Sequence, residues 1–125
     1  MTEREKIIKN YIAGYNEFDT HKMVTDLDDN IVFENIQNGV TYMSLTGLTA
    51  FRQQAEQAKA YFSERIQTIK SFKHSGNVTE IEVDYYAIAG RDFPNGLQMG
   101  QELNLPGKSI FVFKADRIIK LTDIS

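Results

Sequence analysis

The chain has 125 residues and a mass of 14.3 kDa, the length of one domain, and 42% of its residues are hydrophobic and 25% charged. A net charge of −3, with no segment that concentrates lysine or arginine, argues against a nucleic-acid or anionic-membrane partner. The chain has no cysteine, so disulfides, thiol catalysis and zinc–thiolate sites are excluded. Its two histidines provide few ligands for a metal centre. We therefore expect one soluble, cytoplasmic domain over 1–125, with no metal and no membrane span.

The first thirty residues carry the signals of two helices. Thr2 followed by Glu5 has the spacing of a capping box, which predicts a helix that begins at the N-terminus. Apolar residues at three- and four-residue steps then form one stripe: Ile7, Ile8, Tyr11, Ile12, Tyr15 and Phe18. Gly14 indicates close packing or a bend. Asp19 is placed to cap a second, short helix that ends in the polar cluster at 28–30.

The remaining patterns are mostly those of strands. Residues 31–36 predict a strand, and 40–45 predict its hairpin partner. A third helix follows, with one apolar face formed by Leu48, Phe51, Ala55, Ala58 and Phe62. Four strands are then expected at 65–74, 78–90, 98–114 and 117–124, and Pro106 followed by Gly107 predicts an edge position or a bulge in the third. This order predicts an α+β fold in which helices cover one face of a curved sheet and leave a small-molecule cavity between the layers.

The strand at 31–36 contains a candidate catalytic carboxylate. Strict alternation places Val32, Glu34 and Ile36 together on one face. If that face lines the cavity, desolvation disfavours the charged form of Glu34 and suits it to proton transfer near neutral pH. An ordinary surface ion pair of Glu34 is the alternative that the pattern leaves open.

Two tyrosines and a second carboxylate are further candidates. Tyr11 and Tyr15 lie on the inward stripe of the first helix, where a phenol can donate a hydrogen bond to a ligand oxygen or can simply pack with its hydroxyl at the rim. On the last strand, Asp123 shares a face with Leu121 and can therefore reach the same cavity.

Several segments follow a pattern that extends over nearly the whole chain. They are 11–19 (YIAGYNEFD), 27–34 (LDDNIVFE), Gly39 and Gly47 on either side of a strand, 107–113 (GKSIFVF) and 117–119 (RII). This pattern resembles the SnoaL-like branch of the nuclear transport factor 2-like superfamily. The resemblance implies a single SnoaL-like domain: a conical barrel in which a curved, largely antiparallel sheet wraps around the N-terminal helices, as in cystatin-like folds.

The resemblance implies less about function than about fold. The superfamily includes ketosteroid isomerases, polyketide cyclases, scytalone dehydratases, limonene epoxide hydrolases and plain binding modules. Matched to ketosteroid isomerases, Glu34 falls at their aspartate general base and Tyr11 at their oxyanion-hole tyrosine. Ser109 falls where those enzymes hold a protonated aspartate that donates a hydrogen bond. Polyketide cyclases of this fold carry an acid–base aspartate several residues after the position of Ile118, and Asp123 falls too early to be matched to it.

Three functional hypotheses follow. The first is a cofactor-free isomerase, cyclase or dehydratase, in which Glu34 removes the proton α to a carbonyl while Tyr11 and Ser109 bind the developing oxyanion. The second is a non-catalytic module that binds a small apolar or carbonyl-containing ligand in the same cavity. The third is a protein adaptor, which requires an exposed apolar patch that the sequence does not mark. The expected ligand-binding residues are Tyr15, Val32, Ile36, Ser109, Leu121 and Asp123.

The chain is also expected to form a homodimer. Residues 108–114 are apolar on both strand faces, with Ile110 and Val112 on one and Phe111 and Phe113 on the other. One face can cover the helices while the other contacts a second copy.

Overall fold

The computed structural model of the protein describes residues 1–125 as three helices and one six-stranded sheet. The helices are α1 (Glu3–Asn16), α2 (Thr20–Val24) and α3 (Leu48–Ala58). The strands are β1 (Leu27–Gln37), β2 (Val40–Thr46), β3 (Phe62–Ser75), β4 (Val78–Ala89), β5 (Glu102–Lys114) and β6 (Arg117–Ile124). The elements follow one another in the predicted order: two helices, two strands, one helix and four strands. None of the helices has the length and apolar content needed to cross a membrane.

The helix starts lie where the capping signals predict them. The Thr2 hydroxyl accepts a hydrogen bond from the Glu5 amide at 3.1 Å, and the Glu5 carboxylate accepts one from the Thr2 amide at 3.3 Å, so the capping box is complete. The Asp19 carboxylate accepts from the Lys22 amide at 3.0 Å and caps α2. Both predicted caps are confirmed.

Three element boundaries differ from prediction, and in each case tertiary pairing decides. The polar residues 28–30 belong to β1 rather than to the end of α2, because the buried Leu27 pairs with Ile118 of β6 and extends the strand backwards. Phe62 lies outside α3 and begins β3, where it pairs with Ala89. β5 begins at Glu102 rather than at residue 98, after a loop of turns.

The sheet has the strand order β2-β1-β6-β5-β4-β3. Every neighbouring pair is antiparallel except β1 and β6, which run parallel, and β3 to β6 form the predicted four-stranded meander. The inner face of the sheet packs against the helices through a core that includes Ile8, Leu27, Ile31, Phe111 and Ile118, each at most 1% exposed. The predicted α+β fold with a largely antiparallel sheet is confirmed.

The Pro106–Gly107 pair lies where β5 has only one neighbour. β5 pairs with β4 from Glu102 onward, whereas its pairing with β6 begins only at Lys108. Pro106 therefore lies on an open edge, where its missing amide proton costs no ladder hydrogen bond. Of the two predicted possibilities, an edge position or a bulge, the structure has the edge position, and the sheet is open at this point.

Gly14 is the point of closest approach between α1 and α2. A Cβ atom built on Gly14 would lie 2.8 Å from the backbone nitrogen of Met23 and 3.1 Å from the backbone oxygen of Asp19. Because both neighbours are backbone atoms, neither can move away without shifting α2. The close packing that the sequence indicates at Gly14 is confirmed.

We expect Gly14→Ala to lower the free energy of unfolding by about 1–3 kcal/mol, although alanine favours a helix over glycine by about 1 kcal/mol. Urea unfolding of the variant beside Lys6→Ala, at an exposed position of α1, measures the difference. The control should change the stability by less than about 0.5 kcal/mol. A Gly14→Ala protein as stable as the parent would contradict the close contact.

Candidate functional site

A cavity of about 380 Å³ lies between the helices and the inner face of the sheet. All three helices and all six strands contribute to its mostly apolar lining. Both its volume and its composition, a hydrophobic wall with a few polar groups, are typical of sites that bind small organic molecules. The polar groups that line it include Asn35, Arg65, Ser109 and Asp123 together with four tyrosines.

Asp123 is the acidic residue of this cavity. In the sheet it lies opposite Asn35 on the parallel side and opposite Ser109 on the antiparallel side, and all three line the cavity. The Ser109 hydroxyl donates a hydrogen bond to Asp123 Oδ1 at 2.7 Å. Burial raises the pKa of Asp123 to about 6, and the hydrogen bond from Ser109 opposes that rise. The carboxyl group therefore titrates near neutral pH, as proton transfer requires.

Tyr11 supplies a hydrogen-bond donor to the same cavity. Its ring is held edge-on against Phe111, with centroids 5.9 Å apart, and it has no hydrogen-bond partner within the chain. Burial, and secondly the negative charge of Asp123, raise the pKa of Tyr11 well above its usual value. The hydroxyl therefore stays protonated and is available to donate to a ligand.

Tyr15 and Tyr85 form a hydrogen-bonded pair at the cavity wall. Their hydroxyl oxygens are 2.9 Å apart. Burial is the main cause that raises the pKa of both groups. Because each of these hydroxyls already has a partner, this pair is less available to a ligand than Tyr11.

Arg65, at the start of β3, is the polar group that sequence reasoning missed. It is only 2% exposed and lines the cavity, and its Nε donates to the Tyr15 backbone carbonyl at 2.7 Å. The guanidinium lies over the rings of Tyr15 and Phe18, 3.9 and 4.4 Å from their centroids. Its place on the same strand face as Gln67 was the available signal, but an arginine near a strand end is typical of a solvated position.

The structure brings four of the predicted site residues to the cavity. Tyr11, Tyr15, Ser109 and Asp123 all line it. Leu121, also predicted to bind the ligand, shares the inner face with Asp123 but does not line the cavity. It pairs with Phe33 and Phe111 in the sheet and is fully buried in the core.

The expectation that the Glu34 face lines the cavity is wrong. The neighbours that alternate with it, Phe33 and Asn35, point into the cavity, and Glu34 lies on the outer face of the sheet. There its Oε1 is 3.2 Å from Lys120 Nζ, the surface ion pair that the sequence left as the alternative. Val32 and Ile36 share this outer face and are absent from the cavity lining. Alternation sorts residues into two faces, but only the packing of the helices decides which face is inside.

Comparison with known proteins establishes the fold alone. No protein-family model matches the sequence, and no curated protein matches it. A nuclear transport factor 2-like protein of unknown function from Burkholderia pseudomallei K96243 is similar in structure, with a TM-score of 0.78 and 12% identity over 98% of this chain and 90% of that one. The chain thus has the nuclear transport factor 2-like fold that its sequence pattern indicated.

Two further solved structures carry other descriptions on the same fold. One is a protein with a ketosteroid isomerase-like fold from Catenulispora acidiphila DSM 44928, in complex with trimethylamine (TM-score 0.77, 14% identity, 94% of this chain and 83% of that one). The other is an LEH-like epoxide hydrolase from M. tuberculosis (TM-score 0.77, 15% identity, 98% of this chain and 81% of that one). Similarity at this level of identity shows the shared fold and does not define a function.

The raised pKa of Asp123 has a consequence for stability. The folded state holds the Asp123 proton with a pKa of about 6, above the ordinary value of 3.8. Because the folded state binds this proton more tightly, its contribution favours folding below pH 4 and is lost as the pH rises through 6. The difference between the two pKa values corresponds to at most about 3 kcal/mol.

We expect Asp123→Asn to be more stable than the parent at pH 8, by up to about 3 kcal/mol, and this advantage to disappear towards pH 4. Urea unfolding at pH 8, 6 and 4 measures both proteins. Asp116→Asn, at an exposed turn, controls for the loss of one negative charge. Parallel pH profiles of the two variants would show that Asp123 carries no special burial cost.

Proposed function

We propose that this protein is a cofactor-free enzyme that moves a proton on a small, mostly apolar carbonyl compound, and that Asp123 rather than Glu34 is its general base. The observation that carries the proposal is a carboxyl group with a pKa of about 6 in a mostly apolar cavity of about 380 Å³. At pH 7 such a group is mostly ionised and is a stronger base than an ordinary aspartate. Many isomerase, cyclase and dehydratase reactions of carbonyl compounds contain a step of this kind.

The first step needs only groups that line the cavity. Asp123 takes the proton from the carbon next to the carbonyl, the C–H electron pair forms a carbon–carbon double bond, and the carbonyl oxygen becomes an enolate oxygen. The Tyr11 hydroxyl donates a hydrogen bond to that oxygen. Ser109 holds Asp123 Oδ1 and leaves Oδ2 without a partner in the chain, so Oδ2 is the atom that accepts the proton. The protonated Asp123 then returns the proton to carbon or oxygen.

Non-catalytic binding in the same cavity is the second candidate. It is favoured by the composition of the polar set, because Ser109 is a weaker donor than the carboxylic acid found at its position in ketosteroid isomerases. The proton-transfer and binding candidates differ in one measurable respect: only the enzyme exchanges the α proton of a bound ketone with solvent.

The test follows α-proton exchange of 2-tetralone, a compact apolar ketone, in D₂O at neutral pD by proton NMR. We expect the protein to accelerate exchange and Asp123→Asn to reduce the accelerated rate by about 100-fold or more. Tyr11→Phe should reduce it by about 10- to 100-fold, because one oxyanion donor is lost. Glu34→Gln is the matched carboxylate control on the outer face and should leave the rate unchanged.

Saturable binding of 2-tetralone without exchange would assign the protein to the binding candidate. Exchange that is lost in Glu34→Gln but kept in Asp123→Asn would contradict the choice of base. No acceleration across 2-tetralone, 1-indanone and cyclic β-diketones would contradict the enzymatic proposal.

The proposal includes a homodimer formed through the outer face of the sheet. That face carries four half-buried aliphatic residues, Val32, Ile36, Ile110 and Val112, on strands near its centre. Light scattering at micromolar concentration should give twice the chain mass of 14.3 kDa. A measured mass equal to one chain would contradict the dimer.

A further inference from the structure

Arg65 carries a positive charge that no group in the chain neutralises. It is 2% exposed, its Nη2 has no hydrogen-bond partner within the chain, and it takes part in none of the ion pairs of the structure. A buried charge without a counter-charge is strongly unfavourable, so such groups are normally paired or bind a ligand of opposite charge.

The guanidinium is nevertheless held in one fixed orientation. Its Nε donates to the Tyr15 carbonyl at the C-terminal end of α1, where the helix dipole favours a cation. The Asn16 side chain ties this end of α1 to β3, since it accepts from the Gln67 amide at 2.8 Å and donates to the Gln67 carbonyl at 3.1 Å. The position of Arg65 relative to the helix is therefore determined by several independent contacts.

Phe18 covers the guanidinium of Arg65 while its own backbone adopts an unfavourable conformation. It follows the C-cap of α1 with a φ of 58°, in the left-handed region where glycine is the usual residue. A phenylalanine is strained there, but its ring lies 4.4 Å from the Arg65 guanidinium carbon. Aromatic faces and a helix end stabilise a cation without neutralising it, so the positive charge of Arg65 remains without a counter-charge.

Arg65 and Asp123 line the cavity from different strands, β3 and β6, which have β4 and β5 between them in the sheet. Burial raises the pKa of Asp123 and the hydrogen bond from Ser109 opposes that rise, without a contribution from Arg65. The other positively charged residue that lines the cavity is Lys108, whose Nζ lies 3.6 Å from Glu80 Oε2 and is therefore already paired. An anion bound at Arg65 therefore need not contact Asp123 and has no competing cation.

We propose that the ligand of this cavity is a small apolar organic acid whose carboxylate binds the Arg65 guanidinium. This inference rests on the proposed function, because it names the ligand class of the same cavity. The planar fork of an arginine matches a carboxylate with two parallel hydrogen bonds, and a buried, pre-oriented fork gains most from it. The ligand then has its acid group near β3 and α1 and its reacting carbon near Asp123.

Titration calorimetry with 2-naphthoate and its neutral isostere 2-naphthamide tests the proposal. We expect the parent protein to bind 2-naphthoate about tenfold more tightly or better. Arg65→Met should remove this preference by weakening 2-naphthoate binding about tenfold or more while 2-naphthamide binding changes little. Arg91→Met is the matched control: Arg91 also lies over aromatic rings, 4.3 Å from the Tyr61 centroid, but it is exposed and does not line the cavity, so the preference should persist.

A readout on the parent protein keeps the proposal testable if Arg65→Met does not fold. The ¹⁵N resonances of the Arg65 guanidinium should shift on addition of 2-naphthoate and much less on addition of 2-naphthamide. Equal affinities, no binding of 2-naphthoate at millimolar concentration, or a preference that survives in Arg65→Met would each overturn the proposal. A carboxylate preference without ketone exchange would reject only the catalytic role of Asp123, and exchange without that preference would reject only the acid-binding role of Arg65.

Discussion

The parallel pairing of β1 with β6 is the constraint on which the rest of the structure depends. The β1–β2 hairpin and the β3–β6 meander are separate in sequence, and the sheet joins them only through this pair. Its register places Asn35 beside Asp123, while the antiparallel register of β5 places Ser109 on the other side. Because β1 is distant in sequence from the β5–β6 hairpin, the surroundings of Asp123 depend on tertiary pairing as well as on local sequence.

Two groups of opposite charge remain in the interior, and the protein stabilises them by different means. The Asp123 carboxyl can take up a proton, so its burial raises its pKa to about 6 instead of preventing folding. Arg65 cannot lose its proton at any ordinary pH, and it is instead placed against a helix end and between aromatic rings. The cavity thus contains a carboxyl group that can gain or lose a proton and a guanidinium that is always charged. Such a cavity is suited to a ligand that carries both a polarised carbonyl group and a negative charge.

The site was less predictable from the sequence than the fold, and β1 shows why. Alternation correctly separated the Glu34 face from the Phe33 face. Nothing in an isolated strand, however, determines which of its two faces is buried. The aliphatic neighbours of Glu34 suggested burial, whereas the larger aromatic Phe33 packs against Phe51 of α3, with ring centroids 5.5 Å apart. For Arg65 the sequence held almost no signal, because its partners are a helix end and rings from a segment about fifty residues away.

The sequence by itself determined the elements whose signals are local. Capping residues, periodicity and turn residues act within a few positions, so the Thr2 and Asp19 caps, the hairpin and the meander followed from it. Only the tertiary structure decided which strand face encloses the cavity, that Asp123 and not Glu34 lies within it, and that Arg65 is buried without a counter-charge. These outcomes depend on burial and on charge at a distance, which arise only when separate elements pack together.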